Sequence, residues 1–348
     1  MMQNNSKYLI RETATIKEAL ISLNNLSDDV LVLFVVNKDK QLIGTLTDGD
    51  IRRFLISGGG LFDLINKAMQ RNFHYMRSDI NPLIIKEYKN QGFSLIPFVD
   101  EYNKLIKVFN LKKYKSILPI DVVLMAGGKG ERLRPLTNNI PKPLLPVGNK
   151  VIIDHNIESL ISYGIENIFV TVNYLHEQIE AHFKEKKKGI QIKCVKEPKY
   201  LGTIGSVKFV ECLENETVLV MNSDVFTNIN YEDFFLHFKK GNSDMSIAVI
   251  PYSVSVPYGI LQLEKDNVQG IKEKPTYNHF ANAGLYLIKK ELLDIIPKDV
   301  FYDATDFINA LILMKKKISY FPITGYWIDI GKNEDYKKAQ ELSYYIQR

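Results

Sequence analysis

Apolar and polar positions follow two different patterns along the chain. In the first third one pattern occurs twice. Leu33-Phe34-Val35-Val36-Asn37-Lys38-Asp39-Lys40-Gln41-Leu42-Ile43 aligns with Ile96-Pro97-Phe98-Val99-Asp100-Glu101-Tyr102-Asn103-Lys104-Leu105-Ile106. Each is a β-rich run, a polar hairpin turn and a second β run. Helical periodicity precedes both, over Ile16–Asn24 and over 81–91. Two copies of one small α/β unit are therefore expected over residues 1–115, with a short linker at 116–120. From Asp121 onward, short apolar runs at 122–125, Ile168–Val172 and 218–221 alternate with helical stretches at 153–163, 175–186 and Tyr231–Lys240. Strands buried on both faces and joined by helices predict a mainly parallel sheet. Ligands of such sheets bind at the carboxyl ends of the strands.

Composition narrows the class. The chain has 348 residues, beyond the roughly 250–300 at which single cores stop growing, so two domains are expected. Hydrophobic residues make up 45% and charged residues 24%, which excludes a dominantly disordered or coiled-coil chain. The longest apolar run, 30–36, falls far short of the roughly 20 residues of a membrane span. No basic, apolar, small-residue sequence stands at residues 1–25, so no secretory signal is expected. Cys194 and Cys212 cannot form a disulfide framework and lack metal-ligand spacing, so a cytoplasmic protein is expected. Net charge is +5, and the lysine runs at 184–188, 239–240 and 315–317 are expected to close helices, where cations meet the negative end of the dipole. No basic stripe with interleaved aromatics points to nucleic acid.

The first copy of the repeat ends Gly44-Thr45-Leu46-Thr47-Asp48-Gly49-Asp50-Ile51. This resembles the Gly-x-x-Thr-x-x-Asp ending of CBS domains, and the repeat as a whole resembles a tandem CBS pair. The resemblance implies an adenine nucleotide with its phosphate on Thr47 and its ribose on Asp50, since a carboxylate can accept from both ribose hydroxyls. In the second copy Asn110 stands at the Thr position and Lys113 at the Asp position. Lysine has no acceptor, so ribose binding is not expected there. The other reading makes the pair a docking or dimerisation module in which Thr47 and Asp50 cap a helix.

After the strand at 122–125 comes Leu124-Met125-Ala126-Gly127-Gly128-Lys129-Gly130-Glu131-Arg132-Leu133-Arg134-Pro135-Leu136-Thr137. Glycines just past a strand let backbone N–H groups approach an anion, and the Arg132 guanidinium could reach the same phosphates. A Walker loop would need Gly-Lys-Ser/Thr. A dinucleotide fingerprint would need glycine at Leu133. Neither is present. Lys142 follows between two prolines in Pro141-Lys142-Pro143-Leu144-Leu145-Pro146-Val147, so it sits on a stiff segment. Together the two segments resemble the sugar-phosphate nucleotidyltransferases, whose signature is Leu-x-Ala-Gly-Gly-x-Gly-x-Arg-Leu, Pro-Thr, then Lys-Pro-Leu-Leu-Pro-Val. Leu136 is an insertion within the Pro-Thr element.

The resemblance continues in order through Glu197-Pro198, Leu201-Gly202-Thr203-Ile204-Gly205, Asn222-Ser223-Asp224, Tyr258-Gly259, Glu273-Lys274-Pro275, Asn282-Ala283-Gly284 and Trp327-Ile328-Asp329-Ile330-Gly331. It implies a Rossmann-like, GT-A-like domain over 121–348 with a mainly parallel mixed sheet. The last residue is Arg348, so no left-handed β-helix is expected to follow. The implied reaction is attack of a sugar 1-phosphate on the α-phosphorus of a nucleoside triphosphate, releasing pyrophosphate. Leu124, Ala126, Gly127, Gly128, Gly130, Glu197, Gly202 and Thr203 would bind the nucleotide. Arg132, Lys142 and Lys274 would act on the phosphates, and Gly259, Glu273 and Asn282 on the sugar. Asp224 and Asp329 would hold Mg²⁺, a hard ion suited to carboxylates. The nucleophile is already an anion, so His176 and His182 are expected to be exposed structural residues. Each aspartate also has a plain reading as a turn residue, and Glu197 as a solvated residue before proline.

A CBS pair ahead of such a domain resembles the glucosamine-1-phosphate guanylyltransferases of bacterial legionaminic acid synthesis. This implies GTP and glucosamine 1-phosphate as substrates, GDP-glucosamine as product, a role in surface-glycan or flagellin modification, and a homo-oligomer. Uridylyl, thymidylyl or cytidylyl transfer to another hexose or heptose 1-phosphate is the alternative. A non-catalytic nucleotide sensor is the alternative of another class; intact Arg132, Lys142, Asp224, Lys274 and Asp329 argue against it.

Overall fold

The computed structural model describes residues 5–26, 29–77 and 80–346. The backbone divides into two compact units. One runs to Leu118 and includes Ser162–Gly164; the other comprises Pro119–Ile161 and the chain from Ile165 onward.

In the first unit the helix Ile16–Asn24 starts at Thr15, whose side chain caps Glu18 N while Glu18 bonds back, a capping box that satisfies otherwise orphaned N–H groups. Strand Leu9–Arg11 runs parallel to Val32–Val36, which forms an antiparallel hairpin with Leu42–Thr47. The second hairpin, Leu95–Val99 with Leu105–Asn110, repeats the first at an offset of 63 residues. Leu33 faces Leu46 as Ile96 faces Phe109, and the ladder slips between Val35 and Val36 as it does between Phe98 and Val99. The second helix, Pro82–Asn90, is capped by Asn81. Its parallel outer strand is reduced to a single bridge, Met76 to Phe98. The copies share a core in which Leu33, Leu46 and Ile51 lie in one cluster with Leu95, Val99 and Val108. The expected linker is no solvated spacer: Ser116, Ile117, Leu118 and Ile120 are all buried.

The second unit is built on a seven-stranded sheet in the order Lys193–Lys196, Ile168–Val172, Asp121–Ala126, Thr217–Asn222, Thr276–Lys289, Met245–Ser255, Ile318–Pro322. All but Thr276–Lys289 run the same way, so the sheet is mixed and mainly parallel. At the amino end of the first strand Asp121 is fully buried. Its carboxylate accepts from Asn167 Nδ2 (2.9 Å), the backbone N–H groups of Glu214 and Asn215 (2.6 and 2.9 Å) and Asn215 Nδ2 (2.7 Å). A buried charge with that many donors is satisfied.

Several local expectations change. The helix expected at 175–186 is His176–His182, so the lysine run at 184–188 lies beyond it. Lys187 pairs with Asp154 (3.3 Å) and Lys188 with Glu158 (3.0 Å). The run at 315–317 likewise follows a helix that ends at Leu313, whereas Lys239 and Lys240 do close theirs. His176 and His182 are structural but not exposed: their side chains are 17% and 23% accessible, and His182 Nε2 lies 2.9 Å from Asp154 Oδ1.

Candidate active site

The carboxyl ends of three parallel strands open into a cavity of about 560 Å³. Ala126 leads into Gly127, Lys196 into Glu197, and Asn222 into Ser223 and Asp224. The Ser223 hydroxyl donates to Met125 O (2.7 Å), tying two of these strand ends together. Gly127 has no room for a side chain: a Cβ would lie 2.0 Å from Glu197 Oε1. Gly130 has φ +63°, where glycine is favoured, and a Cβ there would press on Thr137 and Lys142. Thr137 Oγ1 donates to Gly130 O (2.8 Å). Around Gly128 the space is open, so its backbone can be approached closely.

The two aspartates meet through a short antiparallel ladder. Val225 lies opposite Asp329, and Ile330 N donates to Asp224 O (3.2 Å). This pairing joins positions far apart in the chain. The Lys142 ammonium is bonded to Asp224 and lies 3.9 Å from Asp329 Oδ1. Lys142 is 9% exposed, held by its short 3-10 turn Lys142–Leu144. Partial burial, then the neighbouring Asp224 carboxylate, raises the Asp329 pKa, with Lys142 and Arg132 opposing. Asp224 Oδ1 is buried without a hydrogen-bond partner. An unpartnered carboxylate oxygen beside a second carboxylate fits a hard divalent cation that takes few protein ligands. Among the described residues no cluster of three or more His, Cys, Asp or Glu forms a fuller metal site. Asp329 does stand at a turn: Gly331 N donates to its backbone carbonyl (2.7 Å), and the side chain takes no part in that bond.

Glu197 is not solvated. It is 2% exposed, its Oε2 accepts from Leu201 N (3.2 Å), and burial pushes its pKa up to about 7. Gly202 has φ +82°, and a Cβ there would lie 2.7 Å from Tyr302 O. Thr203 donates from its N and Oγ1 to Asp303 Oδ1 (2.9 and 3.1 Å), while Ala304 N donates to Thr203 Oγ1 (2.8 Å). Asp303, the N-cap of helix Ala304–Leu313, thus braces the Gly-Thr segment. Sequence reasoning missed this residue, although Asp303-Ala304-Thr305-Asp306 carries a helix-start signal. Tyr200 and Ser206 also line the cavity unforeseen.

Of the residues singled out beforehand, the cavity gathers Ala126, Gly127, Gly128, Gly130, Arg132, Lys142, Glu197, Gly202, Thr203, Asp224 and Asp329. Leu124 does not line it. It is fully buried and its strand position pairs with Met221 and Val170, so it serves the sheet. Gly259, Glu273, Lys274 and Asn282 lie outside the cavity lining. They sit on or beside an exposed β arm between 251 and 282, with Gly259 close to the Glu273 carboxylate and Asn282 Nδ2 donating to Tyr286 Oη (2.9 Å). In the first unit, Asp50 is 5% exposed. It accepts from Thr47 N and Oγ1, Arg53 and Gln70 (2.9, 2.6, 2.5 and 3.1 Å). Thr47 and Asp50 therefore form the capping box of helix Asp48–Ile56.

A glycine loop, a buried lysine and two facing aspartates thus meet at the carboxyl edge of a mixed α/β sheet. The chain belongs to the nucleotidyl transferase family, which it matches over residues 121–344, and it carries a CBS domain matched over residues 5–57. It is 30% identical to a D-glycero-alpha-D-manno-heptose 1-phosphate guanylyltransferase of Aneurinibacillus thermoaerophilus, over 65% of this chain and 100% of that one. It is also 30% identical to a mannose-1-phosphate guanyltransferase of Yarrowia lipolytica, over 62% and 61%. The chain thus spans about three fifths of the length of the mannose-1-phosphate relatives. Among solved structures, HddC from Yersinia pseudotuberculosis is similar, with TM-score 0.51 and 28% identity over 64% of this chain and 98% of that one. No helix among the described residues is long and apolar enough to cross a membrane.

Proposed function

We propose that the protein transfers a guanylyl group from GTP to a sugar 1-phosphate, glucosamine 1-phosphate by preference, giving GDP-glucosamine and pyrophosphate. The observation that carries the reading is the meeting of Asp224, Asp329 and Lys142 in one cavity with the glycine loop. The reaction joins two phosphorylated anions, so charge neutralisation and in-line placement matter more than proton transfer. Backbone donors of Gly127, Gly128 and Gly130 cradle the triphosphate, and Arg132 holds the departing pyrophosphate. Lys142 offsets charge at the α-phosphate, and Lys274 grips the sugar phosphate, with Gly259, Glu273 and Asn282 on the sugar. Asp224 and Asp329 would hold Mg²⁺, which would supply charge neutralisation at the phosphate oxygens. The buried Glu197 carboxylate reads guanine by accepting from N1–H and the exocyclic amine.

The guanylyltransferase names of the heptose and mannose relatives support GTP; they also make heptose or mannose 1-phosphate the second reading for the sugar. Glucosamine 1-phosphate and the legionaminic acid setting rest on the fusion with a CBS module. In this reading residues 1–115 hold two CBS copies, the second diverged. The filled acceptors of Asp50 favour docking over an adenine nucleotide, and the enzyme works as a homo-oligomer in the cytoplasm. The test is pyrophosphate release across four nucleoside triphosphates and glucosamine-, mannose-, glucose-, heptose- and N-acetylglucosamine 1-phosphates. Release is expected with GTP and glucosamine 1-phosphate. Activity with no pair would overturn the enzyme reading, and activity only without GTP would overturn the guanylyl assignment.

A further inference from the structure

The cavity is chemically divided. Its lining cations, Lys129, Arg132 and Lys142, all come from the glycine loop and the segment after it, and the two aspartates meet Lys142. The wall formed by Glu197, Tyr200, Gly202, Thr203 and Ser206 contributes no cation. Phosphates therefore suit one part of the cavity, and a planar, hydrogen-bonding group suits the wall. Tyr200 offers an exposed ring there, a surface on which a base can stack.

Ser206 puts a hydroxyl in the same wall. It lies on the short 3-10 turn Gly205–Phe209 and is 3% exposed. Its Oγ donates to Thr171 Oγ1 (2.9 Å), and Thr171 is buried as well. A hydroxyl has one proton and two lone pairs, so with the proton committed to Thr171, Ser206 Oγ is left as an acceptor for a ligand. Among the described residues no group donates to it. Glu197 is held by the same strand. Its backbone N–H donates to Val172 O (3.1 Å), and Val172 follows Thr171 directly in Ile168–Val172. Ser206 and Glu197 are thus fastened to consecutive residues, whose Cα atoms lie about 3.8 Å apart. Two neighbouring side chains of the wall offer acceptors.

We infer that Ser206 is a specificity-determining residue whose Oγ accepts one N–H of a purine 2-amino group, while Glu197 takes the other and the N1–H. The inference rests on the guanylyl reading above and deepens it. Guanine carries two adjacent donor groups, N1–H and the 2-amine. Adenine and cytosine each set an amine beside a ring-nitrogen acceptor, which faces a carboxylate unfavourably, and uracil sets one N–H between two carbonyls. Thr171 is a positioning residue, because holding the Ser206 proton turns a lone pair toward the base. A base without the 2-amine leaves that buried acceptor unpaired, which is the strongest kind of discrimination a polar site offers.

Inosine triphosphate isolates the contact, since hypoxanthine is guanine without the 2-amine. For the full chain at about pH 8, kcat/KM with GTP should exceed that with ITP about a hundredfold. Ser206→Ala should lower this ratio about tenfold, the size of one neutral hydrogen bond, through KM for GTP. KM for ITP and for the sugar 1-phosphate should stay within about twofold. Thr171→Val removes the same hydroxyl pair but leaves Ser206 Oγ, so its ratio should stay within about threefold of wild type. An unchanged ratio in Ser206→Ala overturns the proposal. So does an equal loss with GTP and ITP, or a Thr171→Val ratio as low as that of Ser206→Ala; either makes the hydroxyl pair a packing element of the wall. A wild-type chain that uses ITP as well as GTP overturns it before any variant is made. Equilibrium binding of GTP and ITP without sugar 1-phosphate should show the same pattern, so failure of the transfer reading would show separately.

Discussion

The two halves of the site are built by opposite means. The nucleotide half grows from strand ends buried on both sides, and its loops are braced several times over. Gly127 packs on Glu197, Thr137 holds Gly130, and Asp303 holds Thr203. The residues assigned to the sugar phosphate ride on an arm with almost every residue exposed. Lys274 sits there with φ +42° among exposed neighbours, whereas Lys142 is buried and ion-paired. On the proposed reading the triphosphate side is preorganised, while the sugar side depends on how the arm is held, and preorganised contacts contribute most where no ordering entropy is lost on binding.

The largest effect that would test this contrast comes from the junction of the halves. Asp224→Asn or Asp329→Asn is expected to lower kcat on the order of a thousandfold, with stability changed by less than about 1 kcal/mol because neither carboxylate holds the sheet together. Near-normal pyrophosphate release from either variant would remove the two-carboxylate metal site. A smaller, one-sided effect is expected from Lys274→Ala: KM for the sugar 1-phosphate should rise about tenfold to a hundredfold, the size of one charge-assisted contact, with KM for GTP unchanged. Equal rises in both would place Lys274 in the nucleotide half instead.

The smallest effect is a pH dependence confined to the nucleotide half. With its pKa at about 7, Glu197 below that pH is a neutral acid with one donor and one acceptor; above it the carboxylate has only acceptors, the match for guanine. KM for GTP should therefore fall severalfold from about pH 6 to about pH 8, and Glu197→Gln should flatten the profile. A profile unchanged in the Gln variant would take base reading away from Glu197. Folding gives the opposite sign. The unfolded chain ionises this group near 4.5 while the folded protein holds the proton to about 7, so its contribution to stability is lost as pH rises through that window.

Elements bounded by local signals were legible in the sequence. The helices Ile16–Asn24 and Tyr231–Lys240 have the limits expected, because Thr15 with Glu18 and Asn230 supply caps that depend on neighbours alone. The repeat was legible to the residue. The mixed, mainly parallel sheet followed from apolar runs, but its single reversed strand did not, because Thr276–Lys289 takes its direction from pairing with strands 59 and 31 residues earlier in the chain. Within the site, glycine spacing marked the loop that the cavity contains. The burial of Glu197 was not legible: it comes from Gly127, 70 residues away, pressing on the carboxylate. The exposure of the arm escaped notice because alternation such as Leu261-Gln262-Leu263 is the same whether its apolar face meets a core or water.

One consequence lies at the end of the sheet away from the cavity. Asp121 fastens the loop residues Glu214 and Asn215 to the start of the first strand, just before the paired strand Thr217–Asn222 begins. A slip of one residue between these strands would displace them by about 3.3 Å and turn every side chain to the other face. The alignment of Asn222 with Met125, and through it the separation of Gly127 from Asp224, is set by this anchorage as the zero of a ruler sets its far graduations. Asp121 lies outside the cavity lining, yet it is the datum from which the spacing across the proposed site is measured.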